Sequence, residues 1–419
     1  MRLLVLSINY APEPSGFAPH ITALGSHLVK NGAEVTVITG FPFAPRWKRY
    51  STYTRRLFMR ERIGGVDVLR VTHFIPRRPR SMLQRILLEG TYCVAAALAV
   101  CGLASQKWDA VFYIGAQPSI AMLARGIAAV KGIPYVIEIT DLAAQAASDL
   151  GVVRSSLIRK VLLLFEHAAY RKAAGAMVLH PSYRDALVRQ GFPGTRIRVI
   201  MSPVDLKVIR PLEGGGDFRS MVGLRPADFV VLHSGSMGIK QGLLNVVEAA
   251  RLLRDHEVGV KWVLVGDGEE RPVIRAAIER YGLAASVLLL PFRPEAEMSD
   301  MFAGADVLLL NQLQSQDKIM ASKFLAYMAA GKAVLASVNA SSPAAEVLDD
   351  SGGGVIVPAE NPQALADAVQ RLRSSPEQLE EMGRRNRSYA ESHFEQGVIL
   401  DSQERFLMEV GGAQAIVDR

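Results

Sequence analysis

The sequence predicts an α/β protein made of two similar halves, each a doubly wound parallel sheet. Three observations carry this. Short apolar runs alternate with helical patterns along nearly the whole chain. The alternation breaks once and then resumes in the same style. The composition, 49% hydrophobic and 21% charged over 419 residues, suits two or three folded domains of about 150 residues each. Strands that alternate with helices imply βαβ units and a sheet covered on both faces.

The elements follow in order. "RLLVLSI" reads as a buried strand, "APHITALGSHLVKNG" as a helix ended by Gly32, and "AEVTVIT" as the next strand. "DAVFYIG", a helix through Ala121–Lys131, and "PYVIEIT" continue the pattern. A helix around Leu157–Ala174 then leads to "GAMVLH", the helix "SYRDALVRQG" and "IRVIM". The break is "SPVDLKVIRPLEGGGDFRSMVGLRPADF", where three glycines and several prolines mark a linker. The second half runs "FVVLHSG", "GLLNVVEAARLLRD", "VKWVLVG", "ERPVIRAAIERYG", "SVLLLPF", "AEMSDMFAGA" and "DVLLLNQ". "SKFLAYMAAGKAVLAS" supplies another helix and strand, followed by "GGGVIVP" and "NPQALADAVQRLRS". Open sheets of this kind bind ligands outside the carboxyl ends of their strands. Two such halves facing each other would place a cleft between them.

The chain carries a net charge of +7, which favours an anionic partner: a membrane surface, a phosphorylated ligand or nucleic acid. Nucleic acid is set aside because no recognised binding motif or aromatic-studded basic stretch occurs. Two cysteines, Cys93 and Cys101, make no disulfide framework and have no metal-ligand cluster around them, so a reducing cytoplasmic setting is expected. "MRLLVLSINYAP" is short and turns at once, and it reads as a first strand rather than a signal peptide. One segment stands apart. "PRRPRSMLQRILLEGTYCVAAALAVCGLAS" joins Arg77, Arg78, Arg80 and Arg85 to a long run of small apolar residues. It reads as a core helix, as a helix lying on an anionic membrane, or as a span of borderline length.

Candidate chemistry gathers at strand ends. "NYAPEPSGFAPH" opens the first helix. Gly16 allows a close backbone approach to a phosphate or sugar, although a proline-punctuated turn explains the loop equally well. "HSGSMGIKQG" offers Gly235, Ser236, Gly238 and the cation of Lys240, a set that suits a pyrophosphate or a plain flexible turn. Neither loop has dinucleotide-fingerprint or Walker spacing. Gly266 lies in the strand-end turn "VGDGEER", and Arg293 follows a strand in "PFRPEAEM". Ser322 and Lys323 open an alanine-rich helix, where unpaired N–H groups, a hydroxyl and an ammonium could hold a phosphate. Glu138 and Asp141 end the strand of "EITDL", where Asp141 could orient an acceptor hydroxyl or cap a helix. No hydrolase elbow and no H-E-x-x-H occurs.

Taken in order, "SINYAPEPSG", "LVKNGAEVTVIT", "SGSMGIKQGLLNVVEAA", "LVGDGEER" and "SKFLAYMAAGKAVLAS" resemble the retaining glycosyltransferases of family 4. The resemblance runs nearly end to end. It is nearest to the fucosyl- and fucosaminyl-transferases of bacterial surface polysaccharide assembly, such as colanic acid and O-antigen. It implies the GT-B fold, two Rossmann-like domains facing a central cleft. Residues 1–205 would bind the acceptor, residues 206–385 the donor, and residues 386–419 would cross back onto the first domain. Lys240 matches the family's diphosphate-binding lysine, with Ser236 where an arginine often stands. Gly16 matches the first-domain glycine loop. Ser322 and Lys323 match a P-S-K element whose proline is Ala321 here.

The family's glutamate pair, eight positions apart, falls on Lys318 and Ala326, and Asp317 is the candidate substitute for the first. Asp141 matches the subgroup's aspartate, with Ala143–Ala144 where Trp-Pro usually follows. The resemblance implies a nucleotide-diphosphate sugar as donor, no resident cofactor and no metal. It implies a lipid-linked sugar at the inner membrane face as acceptor, or some other glycan or a small molecule. An impaired relative acting as a scaffold, and a nucleotide-sugar epimerase of the same fold, remain open alternatives.

Overall fold

The computed structural model describes residues 1–14, 16–53, 56–78, 81–140, 156–212, 216–254, 259–316, 320 and 322–417. Its strands, in chain order, are β1 (Arg2–Leu6), β2 (Glu34–Gly40), β3 (Phe58–Ile63), β4 (Val66–Val71), β5 (Ala110–Gly115), β6 (Tyr135–Ile139), β7 (Gly175–Val178) and β8 (Ile197–Val199). After the linker come β9 (Phe229–Ser234), β10 (Val260–Val265), β11 (Val287–Leu290), β12 (Val307–Asn311), β13 (Ala333–Val338) and β14 (Gly354–Pro358). The helices of the first half are α1 (Ala18–Lys30), α2 (Met82–Gly102), α3 (Pro118–Lys131), α4 (Ser156–Tyr170) and α5 (Pro181–Arg189). Those of the second half are α6 (Phe218–Met221), α7 (Leu244–Arg254), α8 (Arg271–Arg280), α9 (Met298–Ala303), α10 (Ser322–Ala329), α11 (Pro343–Ser351), α12 (Pro362–Arg373) and α13 (Pro376–His393). The tail forms α14 (Gln396–Val417).

The chain divides into two units, Met1–Met201 with Gly397–Arg419, and Ser202–Gln396. The first holds an eight-stranded sheet in the order β3-β4-β2-β1-β5-β6-β7-β8. It is parallel except at β3, which pairs antiparallel with β4. The sequence reading passed over this hairpin. Its turn, Gly64-Gly65, takes positive φ at both residues, as a tight hairpin requires. The second unit holds a six-stranded parallel sheet in the order β11-β10-β9-β12-β13-β14. Both sheets are buried and mostly apolar where they are central: β5, β6, β9, β12 and β13 are buried at every position, as strands covered on two faces must be.

The helices cover the sheets with amphipathic faces. In α1 the buried Ile21, Leu24 and Leu28 recur at helical spacing, and Pro19 sits in the first turn, where no backbone donor is lost. The tail differs from its expected boundary. Asn386 donates to the carbonyls of Lys332 and Gly353, at 2.8 and 2.6 Å, and Arg387 donates to those of Ile209 and Ala329. These bonds keep α13 on the second unit, so the crossing to the first begins at residue 397 rather than 386. There α14 closes against β7, where a Cβ on Gly175 would stand 2.6 Å from the Phe406 ring.

The apolar segment is α2, long and apolar enough to cross a membrane by length and composition. One stripe of it, including Leu88, Tyr92, Ala96 and Ala99, joins the core of the first unit. The opposite side is exposed at Leu83, Ile86, Val94 and Leu98. Cys93 and Cys101 are both free thiols on this helix, and burial pushes Cys93 up to about 11.

Candidate active site

In the second unit the strand order reverses direction between β9 and β12, since β10 and β11 lie to one side and β13 and β14 to the other. Such a switch point opens a crevice at the carboxyl ends of the two central strands. The residues around it come from three segments. The loop after β9 carries Gly235 and Ser236 and ends in a 3-10 turn, Ile239–Gln241, that holds Lys240. The loop after β10 begins at Gly266. The start of α10 brings Ser322 and Lys323.

The first two loops are zipped together. Gly235 N donates to the Val265 carbonyl at 2.9 Å, Met237 N to Asp267 O at 2.9 Å, and Glu270 N to Met237 O at 2.9 Å. Their approach is so close that a Cβ on Gly266 would stand 1.9 Å from the carbonyl oxygen of Gly235. Both glycines have positive φ, +132° and +146°. The hydroxyl of Tyr327, from α10, accepts from Ser234 N at 2.8 Å and donates to Ser234 O at 3.0 Å, fixing the end of β9.

The turn carrying Lys240 is held from β12. Asn311 donates to the carbonyls of Gln241 and Gly242, at 2.6 and 3.1 Å, and Leu313 N donates to the carbonyl of Lys240 at 3.0 Å. Lys323 reaches the same turn. Its ammonium donates to Oε1 of Gln241 and lies 3.4 Å from Nε2 of His233. A Cβ on Gly235 would stand 3.5 Å from that ammonium, so the space above Gly235 is lined by backbone and one cation.

The electrostatics of this hollow are unusual. Burial pushes Lys323 down to about 7, although its side chain keeps partial exposure. His233 is driven well below the usual imidazole range, first by burial and then by the Lys323 charge. Its Nδ1 lies 3.2 Å from the Leu309 carbonyl, which fixes the proton there and leaves Nε2 to accept from Lys323. The hollow thus holds a cation that pairs with no carboxylate among the described residues, next to a neutral acceptor. An anion placed there would restore the ammonium to full charge.

The structure therefore brings together Gly235, Lys240, Gly266 and Lys323 of the expected residues, with Ser236 exposed on the rim of the same loop. Ser322 is the first residue of α10. Arg293 follows the edge strand β11, two strands from β9. It pairs with Glu297 at 2.9 Å, while its Nε is buried without a partner among the described residues. Gly16 lies in the first unit, exposed before α1 at φ +66°. Asp141 and Asp317 lie outside the described residues, as does Arg80.

Glu138, expected at the acceptor, ends up with its side chain inside the first unit. It is 1% exposed, accepts from Gln403 of α14 at 2.9 Å and faces His20 at 3.8 Å. Burial raises its carboxyl above the usual range, and His20 opposes that shift. The residues missed by the sequence reading are Gln241, Asn311 and Tyr327. Among the described residues, one group has metal-ligand geometry. His27 Nε2 lies 3.1 Å from Asp401 and 3.0 Å from Glu404, ion pairs that also fasten α14 to α1.

The comparisons with known proteins agree with this architecture. Residues 15–203 match the family described as Glycosyl transferase 4-like domain, and residues 217–389 match Glycosyl transferases group 1. The chain is a GT-B glycosyltransferase built from one domain of each kind. A relative in Escherichia coli K12, the putative colanic acid biosynthesis glycosyl transferase WcaI, is 25% identical over 88% of this chain and 92% of its own. Among solved structures, sucrose-phosphate synthase from Thermosynechococcus elongatus superposes with a TM-score of 0.77 at 16% identity, covering 98% of this chain and 99% of that one. Anabaena HepE, solved with UDP and glucose, gives 0.72 at 16% identity, covering 98% and 100%.

Proposed function

We propose that this glycosyltransferase is a retaining enzyme that moves a sugar from a nucleotide diphosphate to a hydroxyl group. The observation that carries the proposal is the position of Lys323. Its poorly solvated ammonium points over Gly235 at the switch point, beside the turn that bears Lys240. HepE, of the same fold, was solved with UDP-glucose, a donor of this chemistry. The relative WcaI carries a name from colanic acid assembly, which supports a surface-polysaccharide acceptor, lipid-linked or free.

The chemistry follows from charge. As the bond from the anomeric carbon to the diphosphate oxygen breaks, negative charge grows on that oxygen. In this reading Lys240, Lys323 and the backbone donors at the start of α10 meet it. The acceptor oxygen bonds to the anomeric carbon on the same face, and its proton passes to the departing phosphate oxygen. Asp141 orients the acceptor in this reading, Asp317 the donor sugar, and Ser236 and Arg293 line the donor. The enzyme works in the cytoplasm, peripheral to an anionic membrane surface that it meets through Arg77, Arg78, Arg80 and Arg85. A screen of UDP-, GDP- and dTDP-sugars, with product analysis, tests the proposal. One donor is expected to be turned over with its anomeric configuration kept. Failure to turn over any of them, with and without glycan acceptors, would sink it.

A further inference from the structure

The exposed side of α2 is one wall of a groove of about 670 Å³ in the first unit. The other wall is the edge hairpin and the segment after it. Leu57, Phe58 and Phe74 face Ile86, Val94 and Leu98 across it. The volume is within the usual range for small-molecule sites, but the lining is not the usual mixture. The polar atoms in its wall are already engaged. Thr91 Oγ1 accepts from Phe74 N at 2.8 Å and donates to the Leu87 carbonyl at 2.6 Å. Thr72 Oγ1 accepts from Arg49 at 3.3 Å. His73 is buried, with its two ring nitrogens 3.0 and 3.1 Å from the carbonyls of Phe74 and Phe41, and burial pushes it down, towards the neutral form, in which one of the two nitrogens donates. Such a groove has nothing to offer a polar ligand. It offers a hydrocarbon chain continuous apolar contact.

Charge at the rim restricts the occupant further. Arg56 and Arg60 flank Leu57 and Phe58, Arg77 and Arg78 follow Phe74, and Arg85 precedes Ile86; all five are exposed. Of the nearby acids, Glu61 pairs with Arg70, while Glu89 accepts from Ser119 and also feels the charge of Arg85. Apolar walls rimmed by arginines complement an amphiphile with a phosphate head and a long chain. Within the membrane-associated reading above, we propose that this groove seats one hydrocarbon chain of a membrane lipid phosphate, whose head lies on the rim arginines. The unit then grips a single lipid instead of only resting on the surface.

Gly90 supplies the test. It is exposed on α2 in the groove wall, and a Cβ there meets nothing within 4 Å. Gly90→Trp fills the groove with an indole and removes a helix-weakening glycine, so the fold should survive. Octyl, decyl and dodecyl phosphate are titrated into the full chain by calorimetry, below their micelle concentrations. The expected affinity rises about fourfold per methylene until the groove is full. Gly90→Trp is expected to lose this chain dependence while binding UDP as the wild type does. An affinity independent of chain length, or unaltered by Gly90→Trp, would overturn the inference. So would a dimer in light scattering that Gly90→Trp breaks, in a protein that binds no alkyl phosphate. UDP binding is read in the same samples. If UDP binds and alkyl phosphates do not, this inference alone fails. If none of UDP, GDP and dTDP binds, the failure belongs to the donor reading.

Discussion

Nζ of Lys323, at the start of α10, lies 3.4 Å from Nε2 of His233 near the end of β9. Because burial holds the ammonium near 7 and the imidazole neutral, the charge available to a diphosphate depends on pH in the physiological range. Below about 7 Lys323 is protonated in the free protein. Above it, binding an anion must also recruit a proton. Nucleoside diphosphate affinity is therefore expected to fall as pH rises from about 7 towards 9, with one proton taken up per complex. Calorimetry in buffers of different ionisation enthalpy reads that proton directly.

The same residue sets a stability trade-off. Unfolded, Lys323 recovers its ordinary 10.5, so between about 7 and 10.5 the unfolded chain binds more protons and stability rises with pH. Lys323→Met removes the poorly solvated charge. It is expected to be at least as stable as the wild type at pH 7 in urea unfolding, and to lose roughly 10²–10³ in turnover. A variant that is both unstable and inactive would assign Lys323 a structural role instead.

Tyr327→Phe tests the support behind the hollow. It leaves the buried N–H of Ser234 without its acceptor. The expected cost is about 1–3 kcal/mol in denaturant unfolding, with weaker nucleotide affinity because the end of β9 is no longer fixed.

Two glycines should behave differently. Gly266→Ala drives a methyl into the Gly235 carbonyl and is expected to destabilise by several kcal/mol, beyond the ~1–2 kcal/mol of an unfavourable φ alone. Gly16→Ala has open space around its Cβ and should cost only the backbone term of about 1–2 kcal/mol. Thermal unfolding of the pair separates the two effects.

Glu138→Gln distinguishes a buried strut from an acceptor-binding group. Its carboxyl bonds Gln403 inside the first unit, so turnover is expected to stay within a few-fold of the wild type. A loss of a hundredfold or more with an unchanged melting temperature would place Glu138 back at the acceptor.

The alternation of elements was legible because a parallel sheet covered on both faces demands apolar runs, and β9, β10 and β12 supply them almost without interruption. Lys240 and Lys323 were legible as cations at helix or turn starts after strands. The contacts that hold Lys323 against the turn bearing Lys240 were not, because they run to Gln241 and His233, 82 and 90 residues from Lys323 in sequence. Glu138 read as an acceptor-binding residue because it stands near a strand end, and its partner Gln403 is 265 residues away. The β3–β4 hairpin was passed over because β3 alternates exposed and half-buried residues and never forms an apolar run.

The central claim is that Lys240 and Lys323 together hold the diphosphate of a nucleotide sugar. Calorimetric titration of UDP, GDP and dTDP into the wild type, Lys240→Ala and Lys323→Met tests it most directly. At least one nucleotide is expected to bind the wild type, with affinity weakened tenfold or more in each variant. Wild-type affinity in both variants, or no binding of any of the three nucleotides at millimolar concentration, would contradict the account.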